Sequence, residues 1–275
     1  MVEYIERYKP FAEFLNDQGV LVVGHDHLGH GASVASEEEL GYFAEPDPSD
    51  TLVEDMHTLR TTIQTENPGV PYFMMGHSMG SFIARNYLCR YGKGIDGAVI
   101  VGTGMQSRGL ILCSKAMAGA QKLFCGSKHI SRFIDKAAFG GYNKRIDAPR
   151  TSSDWLSRNP ENVDRYIADG LCGFTFTVNG FQTLFELIRR LQKQENLEKV
   201  PQNLPILMVS GAEDPVGDYG KGVRKACDSL KKAGVKNITV KLYENDRHEL
   251  LNEEDGEQAM EDIYQWIRRE IPGLD

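Results

Sequence analysis

The sequence has 275 residues, 41% hydrophobic and 25% charged, an ordinary globular usage that excludes a disordered chain, a collagen-like repeat and a small disulfide scaffold. Its 31 basic and 39 acidic residues give a net charge of −8, which argues against nucleic acid as a partner because phosphate neutralisation needs a basic stripe. Five scattered cysteines (Cys89, Cys113, Cys125, Cys172 and Cys227), with no C-x-x-C pair, read as thiols of a reducing compartment. No apolar run approaches the ~18 residues of a membrane span, and the opening decapeptide has no apolar signal core. A cytoplasmic location is the expectation.

Along the chain, Pro10 opens a helical stripe of Phe11, Phe14 and Leu15 that ends at Gly19. A β-branched run at residues 19–24 reads as the first strand. Ser49 or Asp50 caps a helix carrying Leu52, Val53, Met56, Leu59 and Ile63, which Asn67-Pro68 stops. Residues 71–76 read as a strand, followed by a helix with Phe82, Ile83, Tyr87 and Leu88 that ends at Gly92, and then a strand at 96–102. From 105 to 199 helical patterns dominate, as in Phe181, Leu184, Phe185, Ile188 and Leu191. Strands at 205–211 and 237–243 then alternate with two more helices, one carrying Val223, Ala226, Cys227 and Leu230, the other Met260, Ile263, Tyr264 and Ile267. Strand–helix alternation predicts an α/β fold, a doubly wound, mostly parallel sheet. Residues 1–104 and 200–275 form its core, and 105–199 form a helical cap, or lid.

Gly76-His77-Ser78-Met79-Gly80 fits G-x-S-x-G between a strand and a helix, the context of a nucleophile elbow that exposes a serine Oγ. Both glycines are expected to relieve crowding at so tight a turn. The Met79 N–H, at the helix start, is aimed at a developing oxyanion. A serine hydroxyl needs a base held by an acid, in the chain order Ser, Asp or Glu, His. His248 is the single histidine after His129, and it lies between the last strand and the last helix. Asp214, in the loop after the strand at 205–211, is favoured as the acid over Asp246. His25-Asp26-His27-Leu28-Gly29-His30 resembles part of a two-metal motif, but Gly29 occupies the carboxylate position, so a polar turn and no metal are expected.

These motifs, with Gly211-Ala-Glu-Asp-Pro-Val216 and Arg247-His-Glu249, resemble the monoacylglycerol lipase and lysophospholipase branch of the α/β-hydrolases, often labelled serine aminopeptidase-like. The resemblance implies a serine carboxylic-ester hydrolase with Ser78 as nucleophile, Asp214 as acid, His248 as base and Met79 as one oxyanion donor. It implies a lipid or other small ester with an apolar acyl chain as substrate, no cofactor, and transient membrane contact through the cap. Phe124, Phe133, Phe139, Phe174, Phe176 and Phe181 are candidates for an acyl pocket or for the cap's own core. Family members carry a His-Gly pair before the second oxyanion donor. The resemblance begins directly after that pair, so Met1 takes the donor position and the strand between residues 20–23 and 72–76 is lacking. The alternatives are an impaired or non-catalytic scaffold, or an amidase or peptidase using the same triad.

Overall fold

The computed structural model describes residues 1–271. Helix α1 (Lys9–Asp17) is followed by an irregular stretch to α2 (Pro48–Glu66). Strand β1 (Phe73–His77), helix α3 (Met79–Tyr91) and strand β2 (Gly97–Val101) come next. Between β2 and β3 (Ile206–Gly211) lie α4 (Arg108–Cys125), α5 (Arg132–Phe139), α6 (Pro160–Ala168), α7 (Val178–Leu191) and α8 (Gln194–Leu197). Helix α9 (Lys221–Lys232), β4 (Ile238–Tyr243) and α10 (Gly256–Glu270) complete the described residues.

The four strands form one sheet in the order β1-β2-β3-β4, with every pair parallel and Val99 opposite Leu207. Period-two alternation divides the central strands between two cores. Ala98, Ile100, Ile206 and Met208 face the cluster that contains α3, α7 and α9. Val99, Val101, Leu207 and Val209 face α1 and α10, through Phe11, Leu15, Ile263 and Trp266. Both faces are thereby covered, as fully buried parallel strands require. The segment between β2 and β3 is not detached from this core: Phe181, Leu187 and Leu191 of α7 are buried in the first cluster, and Asn86 Nδ2 of α3 donates to Leu187 O at 3.0 Å.

One expected strand is not formed. Residues 20–23 pair with no strand among the described residues, so β1 is an edge of the sheet. A cavity of about 1370 Å³ lies against both this run and β1, with Val22, Val23, Met74, Met75, Met56 and Ile263 among its lining residues. Strand character is a property of a pair, because a ladder needs a second backbone. A β-branched run without a neighbour remains a loop.

The gap makes a direct prediction. A strand-forming segment ending in His-Gly, fused ahead of Met1, should pair with β1 and raise the melting temperature. Each kcal/mol gained corresponds to about 2–4 °C at this size. Thermal melts of both proteins check it, and equal midpoints would show that the gap costs the fold nothing.

Candidate active site

Ser78 sits between β1 and α3 with φ 55° and ψ −119°, a left-handed backbone that a side-chain-bearing residue rarely adopts. The turn is held by the Ser78 N–H donating to Val101 O of β2 at 3.0 Å and by the Ser81 N–H donating to Ser78 O at 2.9 Å. Gly76 is required there, because a Cβ would lie 2.3 Å from Gly80 O. Gly80 differs from expectation, since a Cβ on it would meet nothing within 4 Å. It faces the cavity beside β1, where no neighbouring strand crowds it. Met79 begins α3, so its N–H belongs to the helix's first turn and has no intrahelical acceptor.

Asp214 and His248 come together. Nδ1 of His248 lies 3.0 Å from Asp214 Oδ2, both side chains are buried, and the carboxylate can only accept. Two further donors fix that carboxylate: the Val216 N–H at 2.8 Å and the Ser210 hydroxyl at 3.2 Å. Asp246, the rejected alternative, turns the other way to Arg158, at 2.6 Å. Burial, the largest influence on Asp246, pushes its carboxyl up despite that arginine. Gly211, which ends β3, makes the meeting of the two loops possible. A Cβ there would lie 2.1 Å from Asp246 O and 2.2 Å from Arg247 O.

His77, the variable residue of the serine motif, joins the elbow to the histidine loop. Its Nε2–H donates to the His248 carbonyl at 3.0 Å, and the two rings lie 4.6 Å apart. Its Nδ1 is 2.6 Å from the Tyr8 hydroxyl and 3.3 Å from Glu3. Burial alone would push the Glu3 carboxyl up, but the His77 hydrogen bond, the Met1 amine and Arg7 outweigh it and hold the carboxyl far below its ordinary range. Arg7 also binds Glu249, next to His248, at 2.6 Å. Sequence reasoning missed this network, since its members are scattered and carry no shared motif.

Met1 lines the same cavity as Met79. Its nitrogen is a terminal amine 3.9 Å from Glu3, and burial lowers that amine's pKa. The first amide of the chain, Val2 N–H, donates to His30 Nε2 at 3.2 Å. The histidine-rich loop is a turn held by its own bonds: Asp26 accepts from the Ile5 and Ala32 N–H groups, each at 2.7 Å. Among the described residues no group of three or more His, Cys, Asp or Glu side chains could hold a metal ion.

The candidate acyl-pocket phenylalanines do not act as a set. Phe176 and Phe181 are wholly buried in the core, Phe139 and Phe174 pack against it, and Phe124 and Phe133 are exposed. Interior packing of α7 against α3 has taken up the inner ones. Among the described residues, no helix is long and apolar enough to cross a membrane.

Comparison with known proteins follows the same lines. The family model described as "Serine aminopeptidase, S33" matches residues 1–255. Monoglyceride lipase of Mus musculus is 28% identical over 273 residues, 98% of this chain and 80% of that protein. Monoacylglycerol lipase of Mycolicibacterium smegmatis is 26% identical, over 96% of this chain and 84% of its own length. A thermostable carboxyl esterase from Bacillus coagulans, solved in complex with glycerol, superposes with a TM-score of 0.90 at 30% identity, covering 97% of this chain and 86% of that one. On this evidence the chain belongs to the serine aminopeptidase S33 family, with the α/β-hydrolase fold, and is a serine ester hydrolase.

Proposed function

We propose that the protein hydrolyses carboxylic esters with an apolar acyl chain, of the monoacylglycerol or lysophospholipid class, through a Ser78–His248–Asp214 triad. The observation that carries the reading is the buried Asp214–His248 hydrogen bond, 3.0 Å long, joined through the His77–His248 carbonyl contact to the elbow on which Ser78 has a positive φ. Ser78 Oγ attacks the ester carbonyl and passes its proton to His248 Nε2. Asp214 holds the imidazole in the tautomer with Nδ1 protonated and stabilises the imidazolium. In this reading the Met79 N–H donates to the oxyanion, and Met1 is the candidate for the second donor. The imidazolium then protonates the departing alcohol, leaving an acyl-enzyme that water hydrolyses by the same steps in reverse order of roles. No cofactor enters this scheme.

Relatives named for monoglycerides, and a neighbouring esterase solved with glycerol, support a glycerol monoester. The segment 105–199 is the cap in this reading. Its helix α4 presents an outward stripe without a charge, comprising Leu112, Cys113, Ala116, Gly119, Ala120 and Leu123. Such a face supports transient contact with a lipid surface during substrate uptake. Five free cysteines, two of them exposed, support a reducing, cytoplasmic setting.

A fluorophosphonate probe should label Ser78, and Ser78→Ala should abolish labelling and lower kcat by roughly 10⁴–10⁶. Full labelling of the alanine protein would overturn the assignment. Hydrolysis of monoacylglycerol, lysophospholipid and the matching fatty amide, measured side by side, separates the esterase reading from an amidase. Absence of labelling in the parent protein would favour the impaired scaffold.

Asp214→Asn should lower turnover by roughly 10⁴, because the amide favours the wrong imidazole tautomer. Asp246→Asn should leave chemistry nearly intact and act on stability through Arg158. Steady-state kinetics with active serine titrated beforehand would expose the reverse ordering, which would move the acid to Asp246.

A further inference from the structure

The segment between α5 and α6 contains a five-residue stretch, Asp154-Trp155-Leu156-Ser157-Arg158, that is bound to the loop around His248 at several points. The Glu249 N–H donates to Leu156 O at 2.7 Å. The Arg247 guanidinium donates to Asp154 O at 2.6 Å and to Ser157 O at 3.0 Å. Glu253 accepts from the Ser157 hydroxyl at 2.9 Å and from the Arg158 N–H at 2.8 Å. Arg158 Nη2 donates to Asp246 at 2.6 Å. Residues on both sides of His248 are therefore tied to one short stretch nearly a hundred positions earlier in the chain.

Within this clasp, the Trp155 ring lies against the imidazole of His248, with centroids 5.1 Å apart and planes inclined by 41°. Trp155 is itself fixed. Its backbone N–H donates to Asn143 Oδ1 at 2.9 Å, and the Tyr142 ring meets the indole edge-on at 4.9 Å. We infer that Trp155 is a positioning residue for the catalytic imidazole, holding its ring plane and favouring the imidazolium formed during acyl transfer. This rests on His248 being the base of the triad.

The physical case has two parts. An imidazole held at Nδ1 by Asp214 can still rock about that hydrogen bond, which would carry Nε2 away from Ser78. Rings from His77 and Trp155, both held by other groups, restrict that motion. In addition, indole is the best aromatic partner for a cation within about 6 Å of its centroid. The other charged and titratable groups near His248 are already engaged. Asp214 faces Nδ1, Asp246 faces Arg158, Glu249 faces Arg7, Glu253 faces the Ser157 hydroxyl and the Arg158 N–H, and His77 faces Tyr8 and Glu3. Tyr142 is pushed above the ordinary tyrosine range by burial and by Asp214, so it stays neutral. Trp155 is thus the aromatic face available to a charge that exists only during the reaction.

The test compares Trp155→Phe, which keeps an aromatic face, with Trp155→Leu, which keeps apolar bulk without one. Active serine is titrated with fluorophosphonate in each protein, so that unfolded material is not counted. Trp155→Leu should lower kcat about tenfold, with KM changed less than about twofold. It should also move the acidic limb of the kcat/KM profile to lower pH, and Trp155→Phe should restore most of both. Trp155→Met replaces the leucine variant if that protein does not fold. Equal kinetics and equal pH limbs for the phenylalanine and leucine proteins would overturn the inference, as would a loss confined to KM. Failure of the parent protein to react with the probe at Ser78 would instead remove the triad, and the inference with it.

Discussion

The site depends on one hydrogen bond, between the imidazole of His248 and the carboxylate of Asp214, made where the loops after two adjacent parallel strands meet. For those loops to touch, the backbone after β4 must pass within a Cβ's reach of Gly211, and glycine alone permits that approach. The carboxylate is wholly buried, so its ionised form needs donors from every side. The Val216 amide and the Ser210 hydroxyl supply two besides the imidazole. Parallel strands place both loops at the same sheet edge as the elbow after β1. The chemistry therefore follows from strand direction as much as from residue identity.

Much of this was legible in the sequence, for identifiable reasons. Four strands were read from short apolar runs; β2 and β3 are buried on both faces and need no polar alternation, while β4 alternates half-buried with exposed residues. Ser78 announced itself through a motif whose flanks had the right periodicities. Asp214 and His248 followed from chain order and from the loop each occupies. The run at residues 20–23 has the same composition as the true strands, and composition does not say whether a second backbone lies beside it. Gly76 and Gly80 are likewise equivalent in the motif, yet Gly76 is crowded by Gly80 O and Ala84 of the same turn and helix, while Gly80 faces the cavity beside the edge strand β1. Trp155 and His77 were out of reach for another reason. Their roles lie in contacts made across long separations, which leave no periodic trace.

The N-terminal residues have an unusual share in the structure. Glu3, Arg7 and Tyr8 bind His77 and Glu249, the residues just before Ser78 and just after His248. Arg7 is half of a buried ion pair with Glu249, which also accepts from Asn162 of α6 at 2.7 Å. Removing one partner of such a pair strands the other charge, at a cost of several kcal/mol. Core, N-terminus and the β2–β3 segment are thus coupled through the polar groups around Ser78 and His248 and not only through apolar packing.

The clasp at 154–158 bears on how far the β2–β3 segment can be treated as an exchangeable module. Helices α4 and α5 on one side and α6 and α7 on the other could be taken from a relative to test whether they govern substrate choice. The five residues between them belong functionally to the catalytic loop, since Arg247, Glu249 and Glu253 are bonded to their backbone. A chimera that exchanged the whole segment would import a foreign partner for His248. Its inactivity would then be misread as a failure of substrate fit. Graft junctions placed just before Asp154 and just after Arg158 divide the segment into two independently replaceable parts and leave the base in its native surroundings.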